Sequence, residues 1–171
     1  MLENTDKRSK RMLSFFNSMK GIELKNFAKI AYARWLNGII INVEHGFVEL
    51  EFFIRSEMAN PVNLFHGGIQ CGMLDNAIGM AVATLGYEGF PISMDFHVDF
   101  IGKVKVEEKV RVQGKVINES NNILHAIAKI HDMKGNLIST SNSKLLITDL
   151  TPIYVKELDN ISKMISKTEN S

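Results

Sequence analysis

"NPVNLFHGGIQCGMLDNAIG", residues 60–79, is the stretch on which the fold turns. Two adjacent glycines, Gly67 and Gly68, stand where a helical pattern begins. Each weakens a helix by roughly 1 kcal/mol relative to alanine. Asp75 then falls among Met73, Leu74, Ala77 and Ile78, and an ionised carboxylate buried there is costly unless something pairs with it. Two local violations so close together point to a site, because local rules fail where function demands it. From Gly67 to Leu85 the residues Ile69, Met73, Ala77, Met80, Ala81 and Thr84 recur along one broad face, and nearly every other position is apolar or small. That pattern predicts a helix enclosed on most sides. Gly86, Gly89 and Pro91 end it.

Upstream, "GIIINVEHGFVELEFFIR" switches to a two-residue period. It predicts strands over Ile39–Val43 and Phe47–Ile54, joined by a tight turn at His45-Gly46. Residues 9–36 read as helical, with Gly21 as a divider between two helices. Downstream, "ISMDFHVDFI" alternates, placing Ile92, Met94, Phe96, Val98 and Phe100 on one face. "EKVRVQGKVI", "ILHAIAKIHD" and "LISTSNSKLLIT" follow, separated by hairpin-sized turns, so the strands are antiparallel. The tail from Pro152 carries Tyr154, Leu158, Ile161 and Ile165 at helix spacing. One long apolar helix among such strands needs a curved sheet to wrap it. The expected class is α+β: a hotdog fold, with extra helical segments at both ends.

The 171 residues suit one domain with a real core, and the net charge of +1 gives no push toward nucleic acid or acidic membranes. The lone Cys71 rules out an intrachain disulfide and fits a reducing, cytoplasmic setting. The basic cluster "KRSKR" at 7–11 reads as a solvated helix start. The "MLSFF" after it is too short for a signal peptide, and no apolar run nears the roughly 18 residues of a membrane span, so the chain reads as soluble.

The 60–81 stretch resembles the signature of hotdog acyl-CoA thioesterases of the phenylacetate-degradation (PaaI-like) and thioesterase superfamily member 2 type. That pattern is Asn-Pro-x-Gly-x-x-His-Gly-Gly, then Asp nine residues after the His. This chain supplies Asn60, Pro61, His66, Gly67, Gly68 and Asp75 at those spacings, and the resemblance runs on through Ser93 to about Thr148. It implies an N-terminal helical extension (1–38), a hotdog thioesterase domain (39–148) and a C-terminal helical tail (149–171). A helix opening at Gly67-Gly68 presents unpaired N–H groups, and the Gly67 N–H would polarise a thioester carbonyl. Asp75 lies about two turns along, too far to serve a carbonyl held at its own Gly67.

The resemblance implies a dimer in which Asp75 of one subunit faces the His-Gly-Gly loop of the other, and two such dimers are expected to form a tetramer. Asp75 then acts as general base or as nucleophile. Asn60 orients water or substrate, Ser93 helps hold the water, and His66 bonds the loop or the substrate. Each has a plainer reading. Asp75 would be a structural carboxylate across a dimer, Asn60 a loop cap, and His66 and Ser93 structural hydrogen-bonders.

Two departures stand out. Asn63 replaces the usual Gly, and Asn tolerates left-handed backbone better than most residues. Relatives carry Arg-Pro and Gly-Asp where this chain has "IGKVKVEEKV", so Lys103 and Lys105 either meet coenzyme A phosphates or are merely solvated. Gly68, Phe65 and Met73, with Leu74 and Met80, are the expected substrate contacts along the helix. They are apolar and adaptable, which favours medium to long fatty or aryl acyl groups. The alternative is that these residues are ordinary core and the acyl group lies elsewhere, under the N-terminal helices.

The histidines show no metal-ligand spacing, Cys71 has no basic partner, and no phosphate loop or dinucleotide fingerprint is present. No metal or cofactor is expected. The function that emerges is acyl-CoA thioester hydrolysis; the alternative is a non-catalytic acyl-CoA-binding module, which has no need of a buried base. A dehydratase on the same fold is a third option, but the chain shows no His-centred hydratase motif.

Overall fold

Alternation in Phe47–Phe53 is matched by alternating burial, with Val48, Leu50 and Phe52 facing in. The computed structural model, which describes residues 2–152 and Val155, builds outward from that strand. Its elements are α1 (Leu2–Ser18), α2 (Ala31–Leu36), β1 (Ile39–Glu44), β2 (Phe47–Phe53), α3 (Gly67–Ala83), β3 (Pro91–Ser93), β4 (His97–Phe100), β5 (Lys109–Ser120), β6 (Ile123–Asp132) and β7 (Leu137–Ile147). The seven strands form one antiparallel sheet in the order β1-β2-β5-β6-β7-β3, and β4 also pairs with β7. The expected C-terminal helix through Leu158, Ile161 and Ile165 lies outside the described residues.

This is the expected hotdog arrangement, a long helix against a curved antiparallel sheet. The cover is one-sided, however. Gln70, Met73, Leu74, Ala77, Ile78, Ala81 and Val82 of α3 are buried, on an i, i+3, i+4 stripe facing the sheet. Gly68 and Asp75 stand exposed on another part of the helix surface. A single sheet covers one side of a helix, so the expected near-complete enclosure does not occur within one chain.

At the closest approach of helix and sheet, a Cβ on Gly114 of β5 would strike the backbone of Ala77 and Ile78. Gly114→Ala should therefore lower stability by about 1–3 kcal/mol, the usual effect of overpacking, measurable as a lower urea midpoint with unchanged slope.

The N-terminal helix begins at Leu2, earlier than expected, and explains the basic cluster. Lys7, Lys10 and Arg11 are exposed, but Arg8 and Ser9 are buried, which corrects the reading of a wholly solvated cluster. Arg8 Nε donates to the Gly86 carbonyl at 2.9 Å, and Ser9 Oγ donates to the Thr84 carbonyl at 2.7 Å. Carbonyls at and just past the C-terminus of α3 need such donors. Gly21, with φ of +79°, separates α1 from the segment that follows, as expected.

"ISMDFHVDFI" does not run as one strand. Between β3 and β4 the chain turns at Asp95, whose backbone and side-chain oxygens accept from Ser143 Oγ, the Lys144 amide and Lys144 Nζ. Side-chain bonding here competes with the ladder. Of the predicted inward face, Phe96 and Val98 are half-buried, whereas Ile92, Met94 and Phe100 are exposed.

The two sheet edges differ. Beside β1, the Gly21 amide donates to the Ile40 carbonyl and the Leu24 amide to that of Gly38. The β3–β4 edge carries the exposed Ile92, Met94 and Phe100.

Candidate active site

The loop that delivers His66 is built by Asn60. Its Oδ1 accepts from the amides of Val62 (3.1 Å) and Leu64 (2.9 Å), and its backbone N–H donates to the Leu64 carbonyl. This is an Asx-type turn, and Asn60 is at least the loop cap of the plainer reading. Asn63 within it has φ of +59°, the left-handed conformation anticipated from its place at a usual glycine. Phe65 donates its N–H to the Val104 carbonyl, and Leu64 bridges to Lys105, so the exposed Lys103 and Lys105 flank this loop.

His66 is the N-cap of α3. Its Nδ1 accepts from the Gly68 amide at 2.9 Å, and its carbonyl accepts from Ile69 and Gln70. With Nδ1 an acceptor, a neutral ring carries its proton on Nε2. Gly68's N–H is thereby occupied. Gly67's N–H heads the helix, where no intrahelical acceptor exists, and the Phe100 ring packs on the Cα side of Gly67, 3.2 Å from where a Cβ would stand. Gln70 Nε2 donates to the Phe65 carbonyl and ties the loop to the first turn.

Asp75 is exposed on α3, which corrects the expectation of a buried carboxylate. Desolvation by its surroundings nevertheless pushes its pKa above the ordinary aspartate value, and the hydrogen bond from Ser93 pulls the other way. Ser93 Oγ on β3 donates to Asp75 Oδ1 at 3.4 Å, a long contact. Asp75 and Ser93 therefore meet, while Asn60 shapes the loop that leads to His66 and Gly67. The two groups lie at different points along α3, about two turns apart.

The expected acyl contacts divide. Met73 and Leu74 have no exposed surface and Phe65 has 3%, so all three are core in the single chain, while Met80 is half-buried. Met73 and Leu74 lie on the stripe that the sheet covers. Cys71 is half-buried, and burial pushes its thiol pKa up, away from a thiolate. Among the described residues no cluster of three or more His, Cys, Asp or Glu is placed to hold a metal ion. No helix among them is long and apolar enough to cross a membrane.

Sequence reasoning missed Tyr32. Its hydroxyl lies against Gly72 so closely that a Cβ there would collide with it. Nothing in "AYARWL" marks Tyr32 apart from an ordinary aromatic on a short helix.

The sequence model of the thioesterase superfamily matches residues 63–139, from the site loop through β7's start. Over that segment the chain is similar to thioesterase-superfamily domains. The PaaI protein of the Escherichia coli phenylacetic acid degradation operon is 16% identical, with a TM-score of 0.70 over 81% of this chain and 98% of its own. Zebrafish thioesterase superfamily member 2 is 15% identical, with a TM-score of 0.66 over 80% and 95%. A Streptococcus pneumoniae thioesterase-family protein solved with coenzyme A is 15% identical, with a TM-score of 0.63 over 68% and 92%. At these identities the likeness is one of fold. The chain also spans 66% of the length of an Archaeoglobus fulgidus protein bearing an esterase name, at 20% identity over 104 residues. The matched segment thus holds every loop and helix residue of the motif after Val62.

Proposed function

We propose that this chain hydrolyses acyl-CoA thioesters to the free acid and coenzyme A. The observation that carries the reading is the α3 pair: a helix-initial Gly67 N–H outside the intrahelical ladder, and the Asp75 carboxylate with its Ser93 partner two turns along. A thioester carbonyl against Gly67 N–H gains charge as water attacks, and a helix N-terminus stabilises that charge. Asp75, with a pKa held above the ordinary aspartate value, takes the proton of the attacking water or attacks directly. Asn60's remaining amide orients the substrate, His66 holds the loop, and Ser93 helps hold the water.

The two parts are joined by pairing two chains, so that one subunit's Asp75 serves the other's Gly67. The open, apolar β3–β4 edge supports this, because an unpaired edge is a template for another strand. A second pairing would make the tetramer. Lys103 and Lys105, flanking the site loop, suit the phosphates of coenzyme A, which the S. pneumoniae structure contains. Residues 39–148 form the catalytic domain, and the location is cytoplasmic.

The acyl group is apolar, medium to long or aryl, and lies on the uncovered side of α3 near Gly68 and Met80. Specificity constants from acetyl- to palmitoyl-CoA should rise by about fourfold per methylene, from about 0.8 kcal/mol each, until the site ends. A flat profile or a peak at acetyl refutes the apolar site.

A further inference from the structure

We propose that Tyr32, backed by Trp35, is the specificity-determining wall of the acyl site beside Asp75. The inference rests on the thioester-hydrolase reading and names a determinant within it. Gly72 and Asp75 are three residues apart on α3 and are neighbours on the helix surface. Tyr32's hydroxyl fills the space at Gly72 that any side chain would need. Its pKa is raised, first by burial and then by the negative charge of Asp75, which puts the phenol within electrostatic reach of the carboxylate.

The ring is held from behind. It stacks on Trp35 with centroids 6.2 Å apart and planes 14° from parallel. Arg55 lies over the Trp35 ring, 5.4 Å from its centroid, and donates to the carbonyls of Trp35 (2.7 Å) and Leu36 (3.2 Å). A six-residue helix such as α2 is too short to persist unaided. Arg55 satisfies its terminal carbonyls, and Asn37, in the left-handed conformation, closes it. Arg55 also opens the segment that leads to Asn60 and His66, so the aromatic wall and the site loop share one anchor.

The wall is nonetheless not sealed into the core. Tyr32 is 46% exposed and Trp35 42%. Adjacent aromatic faces left open beside a reactive carboxylate suit an acyl chain or aryl ring and disfavour a charged acyl end, for which Tyr32 and Trp35 offer no countercharge.

Two measurements test the wall. The first compares acyl-CoA specificity constants, from acetyl to palmitoyl, for the full chain and for Tyr32→Ala and Tyr32→Phe. Removing the ring opens room for about two further methylenes at about fourfold each. Tyr32→Ala should thus raise the long-to-short ratio by about fifteenfold and move the optimum to longer chains, whereas Tyr32→Phe should keep the original optimum. The second uses Trp35, the single tryptophan of the chain, in Asp75→Asn protein with the wall intact. Its emission should shift when a long acyl-CoA binds and stay unchanged with coenzyme A alone. An unaltered length profile in a folded, active Tyr32→Ala, or silent Trp35 emission with acyl-CoA shown bound by dialysis, overturns this inference and leaves the hydrolase reading standing. Absence of both turnover and acyl-CoA binding in the unmodified chain overturns the two together.

Discussion

Asp75→Asn should lower kcat for an acyl-CoA thioester by at least about a hundredfold, the ordinary worth of a positioned general base, with a smaller change in KM. Asn keeps the shape and removes the proton acceptor, so the loss tests the chemistry and not the packing. Turnover equal to the unmodified protein would refute the role given to Asp75. The pH dependence adds a second reading. The base must be ionised, so kcat/KM falls as pH drops through the Asp75 pKa, and that inflection should lie above the ordinary aspartate value because desolvation raises it. Ser93→Ala removes the hydrogen bond that lowers it and should move the inflection further up. The sign for stability follows from the same shift. Native Asp75 binds its proton more tightly than the unfolded chain does, so stability falls as pH rises from the ordinary value to the raised one. Asp75→Asn should therefore melt higher than the unmodified protein at neutral pH, and the gain should vanish below the ordinary carboxyl pKa.

The second large effect is expected at the sheet edge. Met94 is 58% exposed between β3 and β4, and its amide donates to the Lys144 carbonyl, so its backbone is fixed while its side chain is free of the core. Met94→Asp places a charge on the edge without removing a core contact, the device natural sheets use to prevent strand addition. Sedimentation should show the proposed dimer in the unmodified protein and monomer in the variant. Turnover should fall by at least about a hundredfold, because each monomer keeps Asp75 and Gly67 two turns apart on one helix and so lacks a base at its own carbonyl site. A monomeric variant with full activity would show that one chain holds a complete site.

The local rules in the sequence carried a long way. The His45-Gly46 turn, the alternation of β2 and the hairpins of β5, β6 and β7 all appear, since each depends on neighbours within a few residues. The helix start at Gly67 and the left-handed backbone at Asn63 were legible for the same reason. Motif spacing brought Asn60, His66 and Gly67 to one loop and Asp75 to the right helix.

What the sequence could not determine is which side of each element meets a partner far along the chain. An almost uniformly apolar α3 has no polar face to announce its exposed side, so its pattern predicts a buried Asp75, whereas the sheet covers the opposite stripe. Arg8 and Ser9 looked solvated because the carbonyls they satisfy belong to the far end of α3. One regular run, "ISMDFHVDFI", split at Asp95 because its oxygens bond to Ser143 and Lys144 across the sheet. Tyr32 reached Gly72 by the same kind of long-range packing. Periodicity reports the conformation of a segment; burial and contact are set by the surface that segment finds, and that is a property of the whole fold.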